Sequence, residues 1–230
     1  MAAPAFQLWP AMRRVEHAAW GAIVKCTRAA KLGSLPLPIP VELWIEGPLD
    51  IQLVVTDLSH LGNNVLGAAH VQDREIHISQ TLVKQEARFR FTAAHELGHI
   101  MLHGRIAPYF RDTDDGDFMA RKIEREADRF AAAFLMPIPA LCVEYANVAR
   151  EIWHDPHSLL TGVARGDADA QRAFRTLVLP HLTKRFEVST SAALRRFSDV
   201  QLPNGEPALP FEATLPLLPA EQLKESGRAR

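Results

Sequence analysis

Apolar residues recur every three or four positions over three long stretches of the chain. The first stretch is residues 10–32, where the pattern stops at Gly33. The second covers about 84–103, and the third covers about 118–136 and must end before Pro137. We therefore predict three main helices, with a polar and acidic loop between the second and the third.

Three β-like runs lie between the first and the second of these helices. They are residues 51–57, 65–71 and 75–79, and the first is rich in β-branched side chains. A turn signal at 73–74 separates the last two runs, so these are predicted to form a hairpin. A proline-rich connector precedes them and leads into a short predicted helix at 41–46.

Beyond residue 138 the pattern predicts shorter helices, broken at Pro156 and at Pro180. The last segment is rich in proline and has little periodicity, which favours an extended or disordered tail. The expected fold class is α+β and mostly helical, with a small three-stranded antiparallel or mixed sheet and a C-terminal helical extension. The expected divisions are a domain over 1–145, a helical extension over 146–202 and a flexible tail over 203–230.

Composition narrows the class of protein. The chain has 230 residues, of which 47% are hydrophobic and 23% charged, as in ordinary globular proteins. Its net charge of −1 gives no global electrostatic case for binding nucleic acid or an anionic membrane. No apolar run approaches the roughly 18 residues that a membrane span needs. With only Cys26 and Cys142, we expect a cytoplasmic protein with reduced thiols, and a disulfide between them is the less favoured alternative.

The segment HELGH at 95–99 is the strongest chemical signal. On a helix, His95 and His99 lie about 40° apart around the axis and about 6 Å apart along it, so both imidazoles can reach one metal ion. Glu96 points about 100° away from His95, which suits a general base beside the metal better than a ligand. The alternative is a surface helix that carries two solvated histidines.

A catalytic zinc site also needs a third protein ligand. His103 continues the series, but it lies about 12 Å from His95 along the helix, too far for one ion. Glu126 borders an apolar stripe on the next helix and is the acid expected to turn inward, where a carboxylate needs a cation. Glu124 and Asp128 are either solvated or orient a ligand imidazole. An ion pair with a neighbouring Lys or Arg is the other interpretation of Glu126.

The segments RFTAAHELGHIMLH (90–103) and EREADRFAAAFLMP (124–137) together resemble the ImmA/IrrE family of metallopeptidases. The resemblance implies a zincin-like fold with one Zn²⁺, although Mn²⁺ or Fe²⁺ is an alternative. It carries the ligand roles onto His95, His99 and Glu126 and the base role onto Glu96. It also implies cleavage of a partner such as a small helix-turn-helix repressor, within transcription regulation or a stress response.

Further roles are open at this point. Candidates for a donor to the substrate oxyanion are His103, Tyr109 and His77, and a peptide is expected along the EIHIS strand. Residues 182–200 read as a helix, a turn and a second helix, which leaves DNA binding uncertain. The alternatives to a metallo-endopeptidase are a non-catalytic zinc or DNA-binding regulator and a toxin–antitoxin component.

Overall fold

The structure is a computed structural model that describes residues 7–8, 13–62, 64–104, 109–111, 118–153, 155–202 and 205–218. The chain divides into two compact units. The N-terminal unit comprises residues 11–137 together with 186–188, and the C-terminal unit comprises 1–10, 138–185 and 189–230. The first boundary thus follows Pro137, earlier than the division at 145 that the sequence suggested.

The helices of the N-terminal unit follow the predicted periodicity. The third long helix shows why, because the residues of its apolar stripe are fully buried in the core: Ala127, Phe130, Ala131 and Phe134. Both ends of the predicted third helix agree with the structure to within one residue. The helices in the described part of this unit are α1 (Arg13–Ala29), α2 (Val41–Glu46), α3 (Glu86–His103) and α4 (Phe118–Leu135).

A small mixed sheet belongs to the same unit. Its strands are β2 (Gln52–Thr56), β3 (Gly67–His70), β4 (Glu75–Ser79) and β5 (Tyr109–Arg111), in the order β2-β4-β3-β5. Strands β2 and β4 are parallel and the other pairs are antiparallel, so the predicted β3–β4 hairpin is confirmed. The short β5 adds a fourth strand to the expected three, and the α+β, mostly helical fold class is confirmed.

The position of β4 corrects one expectation. The EIHIS strand pairs with β2 on one side and β3 on the other, so its backbone hydrogen bonds are already used. A substrate peptide cannot extend the sheet there, because strand addition needs an exposed edge. Among the described strands of this sheet, β2 and β5 are the outer ones.

Helices α3 and α4 approach each other closely at Gly98. A Cβ atom placed on Gly98 would lie 3.1 Å from the Cβ of Phe130 and 3.2 Å from the Cα of Ala127. Such distances are tighter than ordinary packing allows, so a larger side chain would push the two helices apart. The glycine therefore brings the acids of α4 within reach of the histidines of α3.

The C-terminal unit is mainly helical in its described part, with one short pair of strands. Its helices are α5 (Ile138–Ile152), α6 (Pro156–Arg165), α7 (Ala168–Ala173), α8 (Leu179–Phe186, whose last residue belongs to the N-terminal unit), α9 (Thr190–Asp199) and α10 (Phe211–Thr214). Strand β1 (Gln7–Leu8) pairs with β6 (Val200–Gln201). The predicted break before Pro156 is confirmed, and Asp155 caps α6 by accepting a hydrogen bond from the Ser158 amide.

Two expectations about this unit were wrong. Pro180 does not break the helix, because a π-helical turn at Phe174–Val178 precedes it and the chain continues directly into α8. Such a turn shifts the hydrogen-bond pattern where proline lacks a donor. The expected disordered tail is ordered over 205–218, where the amide of Leu209 donates to the carbonyl of Phe197 and Leu209 is fully buried. Residues 219–230 lie outside the described part.

Two further properties bear on the class of protein. Cys26 and Cys142 are both free thiols, and burial raises the pKa of Cys26 to about 11 in spite of nearby Lys25. Among the described residues, no single helix is long and apolar enough to cross a membrane.

Candidate metal centre

Two histidines of α3 and one acid of α4 bring their ligand atoms together. His95 Nε2 lies 3.0 Å from His99 Nε2 and 3.2 Å from Glu124 Oε2, and His99 Nε2 lies 3.5 Å from Glu124 Oε1. All three ligand atoms fit within 4.8 Å of one another, and both histidines are buried. Three such donors converge here without any intervening side chain.

The spacing of these donors fits a zinc ion. Ligand atoms at about 2.0–2.1 Å from a tetrahedral zinc lie roughly 3.3 Å apart. The two imidazole nitrogens lie 3.0 Å apart, and they lie 3.2 and 3.5 Å from the two different carboxylate oxygens of Glu124, which is close to that value. Among the described residues this is the group that could hold a metal, and it offers three protein ligands. Three ligands leave a fourth position open, as catalytic zinc sites require.

The structure differs from the expectation that Glu126 is the third ligand. Its Oε2 lies 3.1 Å from His103 Nε2 and 3.6 Å from Arg14 Nη1, rather than beside His95 and His99. Residues two apart on a helix point about 200° away from each other, so Glu124 and Glu126 cannot both face the pair. Glu126 does turn inward, but toward a different histidine. The argument from inward-turned acids therefore applies to two residues, and the contacts favour Glu124 as the third ligand.

Asp128 holds the outer side of His95. Its Oδ1 lies 3.1 Å from His95 Nδ1, on the side of the ring opposite the cluster. Residues four apart share one face of a helix, which is why Glu124 and Asp128 both reach the same imidazole. A carboxylate on the second nitrogen fixes the orientation of a metal-binding histidine and makes its other nitrogen a better ligand.

The charges of the acids shift the titration of the cluster. Burial opposes protonation of His95, but hydrogen bonds to Asp128 and Glu124 outweigh it, so the pKa of His95 is raised well above its usual value. Burial lowers the pKa of His99 despite its contact with Glu124. For Glu124, burial alone would raise the pKa, but hydrogen bonds from the two histidines lower it to about 2. Without metal, these shifts favour the protonated form of His95 and the ionised form of Glu124.

Glu96 is fully buried on α3, and its charge acts on neighbouring His95. Its carboxyl group lies against Gly67 of β3. A Cβ atom on Gly67 would collide with the carboxylate, lying 2.9 Å from its Cδ and 2.8 Å from Thr92 Cγ2. The missing side chain at Gly67 thus makes room for the candidate base. The signal in the sequence was a glycine inside a strand, which marks a close approach.

The three candidates for an oxyanion donor have different positions. His103 is fully buried, and its ring nitrogens already contact His99 Nδ1 at 3.2 Å and Glu126 at 3.1 Å, so none is left for a substrate. His77 Nε2 bonds to Glu75 at 3.0 Å, and its ring packs on His70. Its Nε2 is thus engaged with a neighbour on its own strand. Only the backbone of Tyr109, in β5, is described.

Phe110 and Arg14 also contact the site, although no motif singled them out. The Phe110 ring stacks on His99 with centroids 4.7 Å apart and planes 11° apart. Arg14 of α1 donates from Nη2 to the Leu102 carbonyl at 2.7 Å, in addition to its ion pair with Glu126. A lone aromatic and a lone arginine far from the motif carry no spacing signal, so only the fold reveals them.

The helix pair predicted around 182–200 is present, and two of its four basic side chains are engaged within the protein. Helix α8 ends at Phe186, Glu187 adopts a positive φ of 52°, and Ser189 caps α9 by accepting from the Ala192 amide. Arg196 is fully buried, and Arg185 Nε donates to Glu144 at 2.9 Å. These two cations are occupied within the protein, which weakens the case for DNA binding.

Comparison with known proteins agrees with this geometry. The model of peptidase family M78, described as the IrrE N-terminal-like domain, matches residues 49–198. The chain belongs to this family. The resemblance inferred from the two helix motifs is thereby confirmed, and membership supports a metallopeptidase-type function.

Other comparisons add less. No curated protein matches the chain. Among solved structures, it is similar to a Mycobacterium tuberculosis transcriptional regulator, at 16% identity and a TM-score of 0.44. That match covers 84% of this chain and 53% of the regulator, so the chain spans about half the length of that protein.

Proposed function

We propose that this chain is a zinc-dependent endopeptidase whose ligands are His95, His99 and Glu124 and whose general base is Glu96. The observation that carries the proposal is the convergence of three ligand atoms at separations that suit zinc, next to a buried glutamate. Zinc is preferred to manganese or iron because two imidazoles and one carboxylate are a common catalytic zinc set.

Each residue has a distinct task in the proposed reaction. A metal in this position would acidify a water molecule and polarise the scissile carbonyl. Glu96 accepts the proton of the attacking water and later delivers it to the leaving amine. Its burial keeps the carboxylate in place against Gly67, so that little reorganisation is needed when the proton moves. Asp128 holds the ring of His95 throughout.

The substrate we propose is a partner regulatory protein such as a helix-turn-helix repressor. This part rests on the resemblance to ImmA/IrrE metallopeptidases. A non-catalytic regulator that binds zinc structurally is less well supported, because a closed structural site needs a fourth protein ligand. The described residues bring three together.

Glu96→Gln tests the proposal, because it preserves the size of the side chain and removes the base. The zinc-loaded wild type should cleave members of a proteome-derived peptide library, with the products mapped by mass spectrometry. Glu96→Gln should lose cleavage by a factor on the order of 10²–10⁴ while it still binds one zinc. Normal cleavage by this variant, or no cleavage by the zinc-loaded wild type, would refute the proposal.

A further inference from the structure

We propose that His103, Glu126 and Arg14 form a positioning chain that holds His99 with its Nε2 lone pair directed at the metal. His103 and Glu126 would then contribute to metal affinity without being ligands. The inference rests on the proposed metal site, but not on the proposed peptidase reaction.

The contacts run in one unbroken line from α1 to the cluster. Arg14 Nη1 lies 3.6 Å from Glu126 Oε2, which lies 3.1 Å from His103 Nε2. His103 Nδ1 in turn lies 3.2 Å from His99 Nδ1. His99 and His103 are both fully buried, so water does not compete for the hydrogen bond between them.

The hydrogen atoms have one consistent arrangement when His99 Nε2 is a ligand. A neutral His99 that coordinates through Nε2 must carry its hydrogen on Nδ1. That hydrogen is donated to His103 Nδ1, so His103 carries its own hydrogen on Nε2. A carboxylate can only accept, and Glu126 is placed to accept from this Nε2. The carboxylate of Glu126 thus selects the tautomer of both histidines.

The two metal-binding histidines are therefore oriented by different means. His95 contacts Asp128 directly at 3.1 Å, whereas His99 reaches its carboxylate through a second imidazole. This explains why an acid two positions after Glu124 also turns inward. It also gives His103 a role that its distance from His95 along the helix would otherwise leave unexplained.

Arg14, on the first helix, is the last residue of the positioning chain. Its side chain is 61% exposed, and it contacts both the Leu102 carbonyl near the end of α3 and the carboxylate of Glu126 on α4. An exposed ion pair contributes little by itself. We therefore expect Arg14 to steady the carboxylate, and the contacts of His103 with Glu126 and with His99 to account for most of the effect.

Metal affinity, measured by competition with a chromophoric zinc chelator, tests the positioning chain. Glu126→Leu removes the acceptor and His103→Phe removes the link to His99, and each should weaken zinc binding about 10–100-fold. The stoichiometry should stay at one zinc per chain. Glu126→Gln keeps an acceptor oxygen and should fall between these variants and the wild type. Arg14→Met should change the affinity by about twofold, and the exposed Glu86→Leu on α3 is the matched control without effect.

A second measurement reports the tautomers directly. In the zinc-loaded wild type, ¹⁵N NMR of labelled histidine should show His99 protonated at Nδ1 and His103 protonated at Nε2. Unchanged zinc affinity in both Glu126→Leu and His103→Phe would overturn the inference. So would complete loss of the bound zinc in Glu126→Leu at saturating metal, because Glu126 would then be a ligand.

The outcome can be separated from that of the proposed function. Wild-type protein that binds zinc with this order of affinities but cleaves no peptide would refute the endopeptidase and leave the positioning chain standing. Wild-type protein that binds no zinc would overturn both. If His103→Phe fails to fold, as judged by circular dichroism, the zinc affinity of Glu126→Leu and the ¹⁵N measurement of the histidine tautomers still test the inference.

Discussion

The choice between Glu124 and Glu126 as the third ligand can be tested with a matched pair of variants. Glu124→Gln and Glu126→Gln make the same chemical change, two positions apart on α4. The carboxylate of Glu124 lies 3.2 Å from His95 Nε2 and 3.5 Å from His99 Nε2, whereas that of Glu126 lies 3.1 Å from His103. Only the first change should remove a ligand.

The expected magnitudes differ clearly. Zinc sites with four protein ligands bind with about 10–16 kcal/mol, or roughly 2.5–4 kcal/mol per ligand. At about 1.4 kcal/mol for each tenfold change, Glu124→Gln should weaken zinc binding roughly 10²–10³-fold. Glu126→Gln keeps an oxygen that accepts from His103, so it should weaken binding less than about tenfold. Asp128→Asn disturbs the orientation of His95 and should cost about 10–100-fold.

Two measurements give these numbers. Metal content by mass spectrometry after dialysis separates variants that lose zinc from those that keep it, and chelator competition gives the dissociation constants. Thermal unfolding without metal shows whether the variants are folded. A larger loss for Glu126→Gln than for Glu124→Gln would refute the reasoning, since it would place the ligand on the other face of α4.

Three more predictions concern the neighbourhood of the metal. Gly67→Ala should displace the Glu96 carboxylate, because the added methyl group would collide with it. We expect kcat, measured by steady-state kinetics, to fall at least tenfold, while the zinc content, measured by metal analysis, stays unchanged. Because the pKa of His95 is raised, zinc binding at pH 7 should release about one proton, and the zinc affinity should fall as the pH is lowered. Calorimetry in buffers of different ionisation enthalpy counts the released protons. If no proton is released, the assignment is contradicted. Gly98→Ala should destabilise the fold by about 1–3 kcal/mol through its contact with Phe130, measured by urea unfolding, and an unchanged midpoint would contradict the close packing.

Much of the N-terminal unit could be predicted because its signals are local. The periodicity of α3 and α4, the β-branched run of β2 and the turn between β3 and β4 each depend on neighbours in sequence. The pairing of β2 with β4 could not be predicted, since parallel register depends on the fold as a whole. The same holds for the three-residue strand β5, which is too short to leave a pattern.

The two wrong predictions for the C-terminal unit came from assuming that a proline breaks a helix and that a proline-rich segment is disordered. Pro180 is compatible with helix because the preceding π-helical turn changes the hydrogen-bond pattern at the position where proline lacks a donor. The prolines after residue 202 suggested disorder, yet Ala208 and Leu209 are buried and hydrogen-bonded to Val200 and Phe197. A few apolar residues between prolines can order a segment when another part of the fold offers a surface on which they pack. That surface cannot be recognised in the sequence.

Helical periodicity alone was not sufficient to predict the contacts of the acids at the candidate metal site. Burial of Glu126 followed correctly from the apolar stripe beside it, but burial alone does not say which histidine the carboxylate meets. The decisive signal was the pairing of Glu124 with Asp128, because two acids four apart on one face can provide both a ligand and the group that orients a histidine. Glu126 then has no place in that set, and its contact with His103 becomes the reason for its inward turn. In the proposed site, two acids on opposite faces of α4 would therefore act on the same metal, Glu124 directly and Glu126 through an imidazole. The zinc affinities of Glu124→Gln and Glu126→Leu test the two roles separately.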